Sequence, residues 1–132
     1  MLKINQSVID GMIAHAKSEA PIEACGYLME KDGVVCKHNE LTNVDQAEEH
    51  YTFDPKEQFA VVKNGRKLGL KPAAVYHSHP VSPARPSEED IRLAFDPSIS
   101  YVILSLMDGK ETIKSFKVKK GVVEPEEIEI IS

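Results

Sequence analysis

The segment AAVYHSHP, residues 73–80, constrains the fold more than any other part of the chain. Small, apolar and aromatic residues lead into two histidines, and Pro80 ends the run because proline cannot donate to a central ladder. The segment is therefore predicted to be a β-strand. Alternate side chains of a strand point to the same face, so we expect His77 and His79 side by side, roughly 6.5 to 7 Å apart along the chain. Two imidazoles so placed can bind one metal ion, and neutral imidazole suits zinc.

A candidate for a third metal ligand follows within a few residues. Prolines stiffen the stretch VSPARP, residues 81–86, so the chain returns through a short restricted loop. Ser87 then begins a helix predicted to run to about Phe95, and Asp90 lies at the third position of its first turn. From there Asp90 can face back toward the strand end that carries the histidines. Catalytic zinc sites use three protein ligands and leave the fourth position to water, so Asp90 is the candidate third ligand.

Each part of this pattern also has an ordinary structural explanation. In a chain with five histidines, one His-x-His pair can arise by chance on the surface. The sequence SEED, residues 87–90, is a capping box in which the Ser87 hydroxyl accepts from a backbone N–H and Asp90 reaches back to the cap. Taken in isolation, capping is the better explanation of Ser87 and Asp90. The metal-binding interpretation therefore depends on the His-x-His pair and the SEED segment occurring together.

The full stretch HSHPVSPARPSEED, residues 77–90, is far more specific than its parts. It combines HxHP, six intervening residues and SxxD directly after an apolar strand. It resembles the catalytic motif of the JAMM (MPN+) zinc metalloproteases, the family of proteasomal and signalosome isopeptidases and their small prokaryotic relatives, and matches that motif without a substitution. Upstream, PIEACGYL resembles the ExxG of the same family through Glu23 and Gly26. With HYTFDP and YVILSL included, the similarity covers roughly residues 4 to 120.

The resemblance implies a role for five residues. His77, His79 and Asp90 would be the ligands of one zinc ion per chain, with a catalytic water as the fourth ligand. Glu23 would act as general base and then as general acid, and Ser87 would support the oxyanion. These roles agree with the chemistry of the residue types, because zinc lowers the pKa of bound water toward about 7 and a nearby carboxylate must take up the released proton.

The assignment of the base is the least determined by the residues themselves. Glu19 and Glu30 lie close by in the sequence and remain alternatives, although the spacing to Gly26 favours Glu23. The other histidines have no partners at ligand spacing and are predicted to be structural or surface residues: His15, His38 and His50.

The resemblance also implies a fold, a single JAMM/MPN-like (cytidine-deaminase-like) domain over residues 1–132 with a mixed curved β-sheet and packed helices. The residue patterns lead to the same α/β class. Predicted strands are Leu2 to Ile4, a hairpin turning at residues 31–33, residues 73–79, Ile99 to Leu106, residues 112–118 and an edge strand in the acidic tail. Predicted helices are Ser7 to Ser18 with a Ser7–Asp10 capping box, a helix from the N-cap Asp54 toward Leu70, and the helix from Ser87. Residues 43–53 are predicted to be loop or short strand.

Composition limits the classes of partner. With 132 residues, 42% of them hydrophobic, the chain can bury a core without disulfides or a structural metal. Its net charge of −5 argues against nucleic acid as a partner. No apolar run is long enough to cross a bilayer and no signal-peptide pattern opens the sequence, so we expect no membrane association and a cytoplasmic location. Cys25 and Cys36 lack CxxC spacing and are expected to be reduced, partly buried thiols.

The resemblance implies hydrolysis of an amide or isopeptide bond, typically after the C-terminal glycine of a ubiquitin-like protein. A chain of 132 residues leaves little room for insertions that grip two ubiquitins, which favours the small prokaryotic form. Relatives of that form are linked to sulfur-carrier proteins, from whose C-terminus they remove a cysteine or a short peptide. The expected partner is therefore a ubiquitin-like or sulfur-carrier tail, with its glycines beside a sheet edge as an added strand. The oligomeric state stays open.

Two rival classes are considered. A non-catalytic MPN-type interaction scaffold would keep the fold and lose the ligands, and the intact HxHP, SxxD and ExxG motifs argue against it. A zinc-dependent nucleoside deaminase would need HxE and PCxxC ligands, which this sequence lacks. A zinc metallopeptidase is therefore the favoured interpretation, with the scaffold as the alternative.

Overall fold

An eight-stranded sheet forms the centre of the computed structural model, which describes all 132 residues. The strands are β1 (Leu2–Asn5), β2 (Cys25–Lys31), β3 (Val34–Leu41), β4 (Lys71–His79), β5 (Ser100–Ser105), β6 (Thr112–Lys119), β7 (Val122–Glu126) and β8 (Ile128–Ile131). The helices are α1 (Gln6–Glu19), α2 (Pro55–Lys67) and α3 (Glu88–Arg92), with one 3-10 turn at Met107–Gly109. The predicted α/β class with a mixed sheet is confirmed.

The strand order is β7-β6-β5-β4-β2-β3-β1-β8, with β4 in the interior of the sheet. Strand β4 pairs antiparallel with β2 and parallel with β5. Strands β7 and β8 are joined by the single residue Glu127 yet lie at opposite edges. A sheet whose two edges are connected so closely must curve back on itself, and the Leu2 amide donates to the Glu127 carbonyl (2.8 Å) where the edges approach.

Strand β1 leads into α1 without a loop, which changes the expected start of the helix. The helix begins at Gln6, and its N-cap is Asn5, whose side chain makes no capping hydrogen bond. The predicted capping box from Ser7 to Asp10 is therefore wrong, because Ser7 already lies in the first turn. Asp10 instead accepts from the Gln6 side chain (Nε2 to Oδ1, 2.9 Å).

Turn chemistry was predicted well at the hairpin and at the start of α2. Asp32 and Gly33 have φ angles of 53° and 82°, the values that a tight hairpin turn between β2 and β3 requires. The Asp54 side chain accepts from the Lys56 amide, with Pro55 as the first helical residue. Gly65 lies within α2, which continues to Lys67, and packs closely against the Met29 side chain.

The last predicted helix and the tail differ from expectation. Helix α3 ends at Arg92 rather than near Phe95, because Leu93 and Phe95 are exposed and a longer helix would have no apolar face to bury. The tail forms two edge strands rather than one, since β7 continues the β6 hairpin and β8 crosses to pair with β1. Residues 43–53 contain no strand.

The two larger helices cover opposite faces of the sheet. Helix α1 packs on even-numbered positions of β4 and β5, such as Tyr76 and Val102, and α2 packs on odd-numbered ones, such as Val75. His77 and His79 share the face of Val75. Both cysteines are free; Cys25 is buried in the α2-side cluster, but Cys36 is exposed on β3, contrary to expectation. None of the helices combines the length and apolarity that crossing a membrane requires.

Candidate active site

The two histidines are held by a strand that is paired on both sides. His77 lies between Cys25 of β2 and Ile103 of β5, and its side chain is 3% exposed. His79 is also buried, opposite Ser105 of β5. The ring of Tyr51 lies against His77, with 4.8 Å between ring centroids. Fixed backbone and close packing leave both imidazoles little freedom to move.

The loop after β4 determines the tautomer of His79. Its Nδ1 lies 2.8 Å from the Pro83 carbonyl oxygen, which can only accept a hydrogen bond. Nδ1 therefore carries a proton in both charge states of the ring. The imidazolium form donates from Nε2, and the neutral form presents an Nε2 lone pair to a metal. The loop itself is fixed because the Ser105 hydroxyl donates to the Ser82 carbonyl (2.6 Å).

Asp90 takes part in both of the arrangements considered for it. The capping box is present, because the Asp90 amide donates to Ser87 Oγ (3.0 Å) and the Ser87 amide donates to Asp90 Oδ2 (2.9 Å). The same Oδ2 atom lies 3.1 Å from Nε2 of His77 and 3.2 Å from Nε2 of His79. The cap thus orients the carboxylate toward the histidines, and the structural and metal-binding explanations are compatible.

The three donor atoms have spacing suited to one metal ion. The Nε2 atoms of His77 and His79 are 3.1 Å apart, so with Asp90 Oδ2 they form a nearly equilateral triangle. Zinc bonds of about 2.0 to 2.1 Å in tetrahedral geometry give ligand-to-ligand distances of about 3.3 Å. The donor set of two nitrogens and one carboxylate oxygen is consistent with zinc binding.

The site favours an ionised Asp90. Burial alone would raise its pKa, but hydrogen bonds from His77, His79 and the Ser87 amide outweigh burial and hold the pKa of Asp90 well below its usual value. For His79, burial lowers the pKa, but the hydrogen bonds to Asp90 and to the Pro83 carbonyl more than offset this and leave it raised. The carboxylate is therefore available as a charged ligand at neutral pH.

Glu23 lies beside this donor set in an unusual state for a carboxyl group. Its side chain is 4% exposed, and Oε1 is buried without a hydrogen-bond partner. Burial raises the pKa of Glu23 to about 8; His79 opposes this shift, while Asp90, Glu89 and Glu49 add to it. A buried, unpartnered carboxyl group that titrates near neutrality is typical of a general acid or base. Of the two alternatives, Glu19 is half-exposed at the end of α1 beside His15, and Glu30 lies beside Lys71.

Distant residues hold the backbone around Glu23. The Glu23 carbonyl accepts from Asn43 Nδ2 (3.1 Å), and the Ala24 amide donates to Ser78 Oγ (2.8 Å), which ties this segment to β4. Gly26 allows β2 to lie close to the Asn39 backbone and the Tyr76 ring. A Cβ atom at this position would lie 2.2 Å from the Asn39 carbonyl oxygen and 2.6 Å from the ring. The ExxG spacing thus has a steric reason.

Sequence reasoning missed two residues of the site and gave a third too small a role. Asn43 and Tyr51 fall in residues 43–53, which are predicted to be loop or short strand. The segment HYTFDP includes Tyr51 in the family resemblance, but no local pattern indicates its contact with His77 or the burial of Asn43. Ser78 lies within the HxHP motif with no chemical role assigned to it from the sequence, yet its Oγ accepts from the Ala24 amide. Ser87 is exposed, with its Oγ accepting from Asp90. None of the remaining histidines joins the donor set: His15 contacts the Tyr76 hydroxyl, His38 contacts Glu40, and His50 contacts Asp45.

The fold has clear structural relatives. The crystal structure of AF2198, a JAB1/MPN domain protein from Archaeoglobus fulgidus, matches with a TM-score of 0.69 at 24% identity over 98% of this chain and 97% of that one. The solution structure of protein DSY2949 from Desulfitobacterium hafniense matches with a TM-score of 0.90 at 46% identity over 99% and 93%. The fold is therefore of the JAB1/MPN class.

The family described as prokaryotic homologs of the JAB domain matches residues 5–119, and the chain belongs to that family. The CysO-cysteine peptidase of Mycobacterium tuberculosis (strain ATCC 25618 / H37Rv) is 31% identical over 99% of this chain and 92% of its own length. The probable TtuB-protein conjugate cleaving protease of Thermus thermophilus is 30% identical over 92% and 78%. The protein is accordingly a JAMM-type hydrolase, as the sequence motif predicted.

Proposed function

We propose that the protein is a zinc-dependent peptidase that hydrolyses the amide bond after the C-terminal glycine of a ubiquitin-like or sulfur-carrier protein. One observation carries the proposal: a buried carboxyl group without a partner, that of Glu23, lies beside a His-His-Asp donor set. A purely structural metal site has no use for a second, protonatable carboxyl group. The combination fits hydrolysis by an activated water.

The proposed metal site uses Nε2 of His77, Nε2 of His79 and a carboxylate oxygen of Asp90 for one zinc ion per chain. A zinc ion bound there supplies Lewis-acid activation of a water, its fourth ligand, and of the scissile carbonyl. The protein contributes the orientation of the ligands. The Pro83 carbonyl keeps the proton of His79 on Nδ1, and the Ser87 amide holds the Asp90 carboxylate in place.

Glu23 is proposed to move the proton of the reaction. Its carboxylate accepts a proton from the attacking water and then donates it to the nitrogen of the leaving amine. Burial raises the pKa of Glu23 to about 8, so this carboxyl group can both take up and release a proton near neutral pH. Asn43 and Ser78 position Glu23 by holding the backbone on either side of it.

Ser87 is proposed to stabilise the oxyanion. Its Oγ accepts from the Asp90 amide, an arrangement that leaves the hydroxyl proton free to be donated. A donor directed at the carbonyl oxygen strengthens its interaction as negative charge develops there. The exposure of Ser87 is compatible with contact to a bound substrate.

The proposed substrate class follows from the relatives, whose names refer to CysO-cysteine and to TtuB-protein conjugates. The expected binding at a sheet edge needs revision, because β4 is paired on both sides and the edges are β7 and β8. A groove of about 450 Å³ beside Asp90 offers a better path for the tail. Aromatic and apolar side chains line much of it: Tyr27, Tyr51, Phe53, Leu93, Phe95 and Tyr101.

Mass spectrometry of a sulfur carrier extended by a short peptide after Gly-Gly tests the proposal. The zinc-loaded protein should remove the extension, and Glu23→Gln should slow removal by about 10² to 10⁴-fold, the usual contribution of a general acid or base. Glu30→Gln serves as the matched control and should keep the normal rate, since Glu30 pairs with Lys71 away from the donor set. A normal rate in Glu23→Gln would place the base elsewhere, and an intact carrier with zinc-loaded protein would contradict the proposed activity.

A further inference from the structure

A cavity of about 260 Å³ adjoins Glu23, and its lining is polar and acidic. Glu19 from the end of α1 and Glu40 from the end of β3 contribute carboxylates to it. Asn43 fixes the loop on one side, because its amide donates to the carbonyls of Glu23 (3.1 Å) and His50 (2.9 Å). No residue of this acidic cavity belongs to the aromatic groove beside Asp90. Two cavities of different chemistry are therefore lined by residues of the proposed site, the acidic one by Glu23 and the aromatic one by Asp90.

The negative charge of the acidic cavity is not neutralised within the protein. Glu19 and Glu40 are 49% and 52% exposed, and no lysine or arginine lies within 4.0 Å of either. Their neighbours are imidazoles, with His15 Nε2 at 3.9 Å from an oxygen of each and His38 Nε2 at 3.1 Å from Glu40. Burial lowers the pKa of His15, although both carboxylates oppose this, so His15 adds no full positive charge at neutral pH.

Glu23 connects the acidic cavity to the proposed reaction. Glu23 lines the cavity, and its Oε1 has no hydrogen-bond partner despite being buried. In the proposed reaction this carboxyl group protonates the leaving nitrogen, so the amine product must come within hydrogen-bond reach of Glu23. The aromatic groove suits the acyl side of the substrate, the carrier tail. The cavity lined by Glu23 is then the one available to the leaving group.

We propose that the acidic cavity binds the amine leaving group and selects one that carries a basic residue. This inference rests on the proposed function and adds the specificity of its leaving-group side. A lysine or arginine directly after the scissile bond brings its positive charge toward Glu19 and Glu40. An acidic residue, or a single residue with a free carboxylate, brings a like charge there. Attraction between half-exposed charges should raise kcat/KM for a basic residue by about threefold, and repulsion should lower it for an acidic residue by about threefold. A basic extension should therefore be preferred over an acidic one by about tenfold.

Carriers extended after Gly-Gly by Lys-Ala-Ala, Ala-Ala-Ala, Glu-Ala-Ala or a single cysteine test this selection. With zinc-loaded protein, kcat/KM should be highest for the lysine extension and about tenfold lower for glutamate, with free cysteine also low. The double variant Glu19→Gln, Glu40→Gln should bring lysine and glutamate within about twofold of each other. The matched control Glu124→Gln, Glu129→Gln removes two exposed charges from the edge strands and should keep the preference.

An NMR titration with the tripeptide amides Lys-Ala-Ala and Glu-Ala-Ala provides a readout that needs no cleavage. The lysine peptide should shift the amide resonances of residues 19–24 and 40–46 in the zinc-loaded protein, and the double variant should weaken this response. Cleavage of all extensions at equal rates, or a preference that survives in the double variant, would overturn the selection while leaving the proposed function intact. A charge-selective titration without any cleavage would overturn the proposed function and keep the basic-ligand site. Equal responses to the lysine and glutamate peptides would overturn the proposed site for a basic leaving group.

Discussion

The metal donor set and the candidate base lie side by side, but the chain builds them in different ways. His77, His79 and Asp90 fall within one segment of strand, proline-rich loop and helix cap, and their contacts are local. Glu23 depends on residues far away in sequence, Asn43 in a loop and Ser78 on β4. A locally encoded site can be inferred from a motif, whereas a site assembled by tertiary contacts needs the fold. Mutations in the metal donor set should therefore change zinc binding, whereas mutations around Glu23 should change catalysis with zinc retained.

Substitution of Asp90 should have the largest effect on the metal donor set. Asp90→Ala should abolish zinc binding and reduce hydrolysis by about a thousandfold or more, because a charged ligand and the activation it supports are lost together. In the metal-free protein the free energy of unfolding should fall by about 1 to 3 kcal/mol, because the helix cap and the charge-assisted hydrogen bonds of Asp90 are lost together. Metal analysis, activity and urea denaturation measure the three effects.

Asp90→Asn separates the two roles of this side chain. The amide oxygen can still accept from the Ser87 amide, so the helix cap should be retained while zinc affinity falls. Unchanged zinc retention in both Asp90 variants would remove Asp90 from the ligand set.

The titration of Glu23 should appear as a pH dependence of the free energy of unfolding of the metal-free protein. An unfolded glutamate titrates near 4.3, whereas burial raises the pKa of folded Glu23 to about 8. Between these values the folded state keeps a proton that the unfolded state has lost, so this group reduces stability as pH rises through that range. Glu23→Gln cannot lose that proton and should be more stable than the wild type by about 4 to 5 kcal/mol at pH 8, and by less than about 1 kcal/mol at pH 4.5.

Chemical denaturation of both proteins at a series of pH values, with a chelator present, measures this difference. The folded state should persist without metal because the core is large enough, and the other titrating groups cancel in the comparison. A difference between wild type and variant that does not change with pH would mean that Glu23 titrates normally and is not held in a buried, protonated state.

Substitution of Ser78 should have a smaller effect, on the positioning of Glu23 by tertiary contacts. Ser78→Ala leaves the Ala24 amide without its acceptor and loosens the segment that carries Glu23, so kcat should fall by about tenfold while zinc content is retained. Ser115→Ala is the matched control, because Ser115 is a buried serine that donates to Glu126 far from the site. A fall in kcat of equal size in both variants would show a general effect of stability rather than positioning.

The parts that could be predicted from sequence are those governed by local chemistry. The hairpin at Asp32-Gly33, the Asp54 cap and the alternation of His77 and His79 follow from turn, cap and strand rules. The edge pairing of β8 with β1 could not be predicted, because strand partners across the whole chain length depend on the closure of the sheet. The burial of Asn43 and the stacking of Tyr51 likewise depend on how the loop at residues 42–51 folds over β2 and β4, which no local pattern encodes.

The central claim is that one segment of this chain holds a catalytic zinc ion, and His77→Ala tests it most directly. Metal content by plasma emission spectroscopy should be measured together with cleavage of a C-terminally extended sulfur carrier. The control is His50→Ala, at a half-exposed histidine that contacts Asp45. We expect one zinc per chain and removal of the extension in the wild type and in His50→Ala, and neither in His77→Ala. Zinc binding or cleavage that survives in His77→Ala would contradict the account.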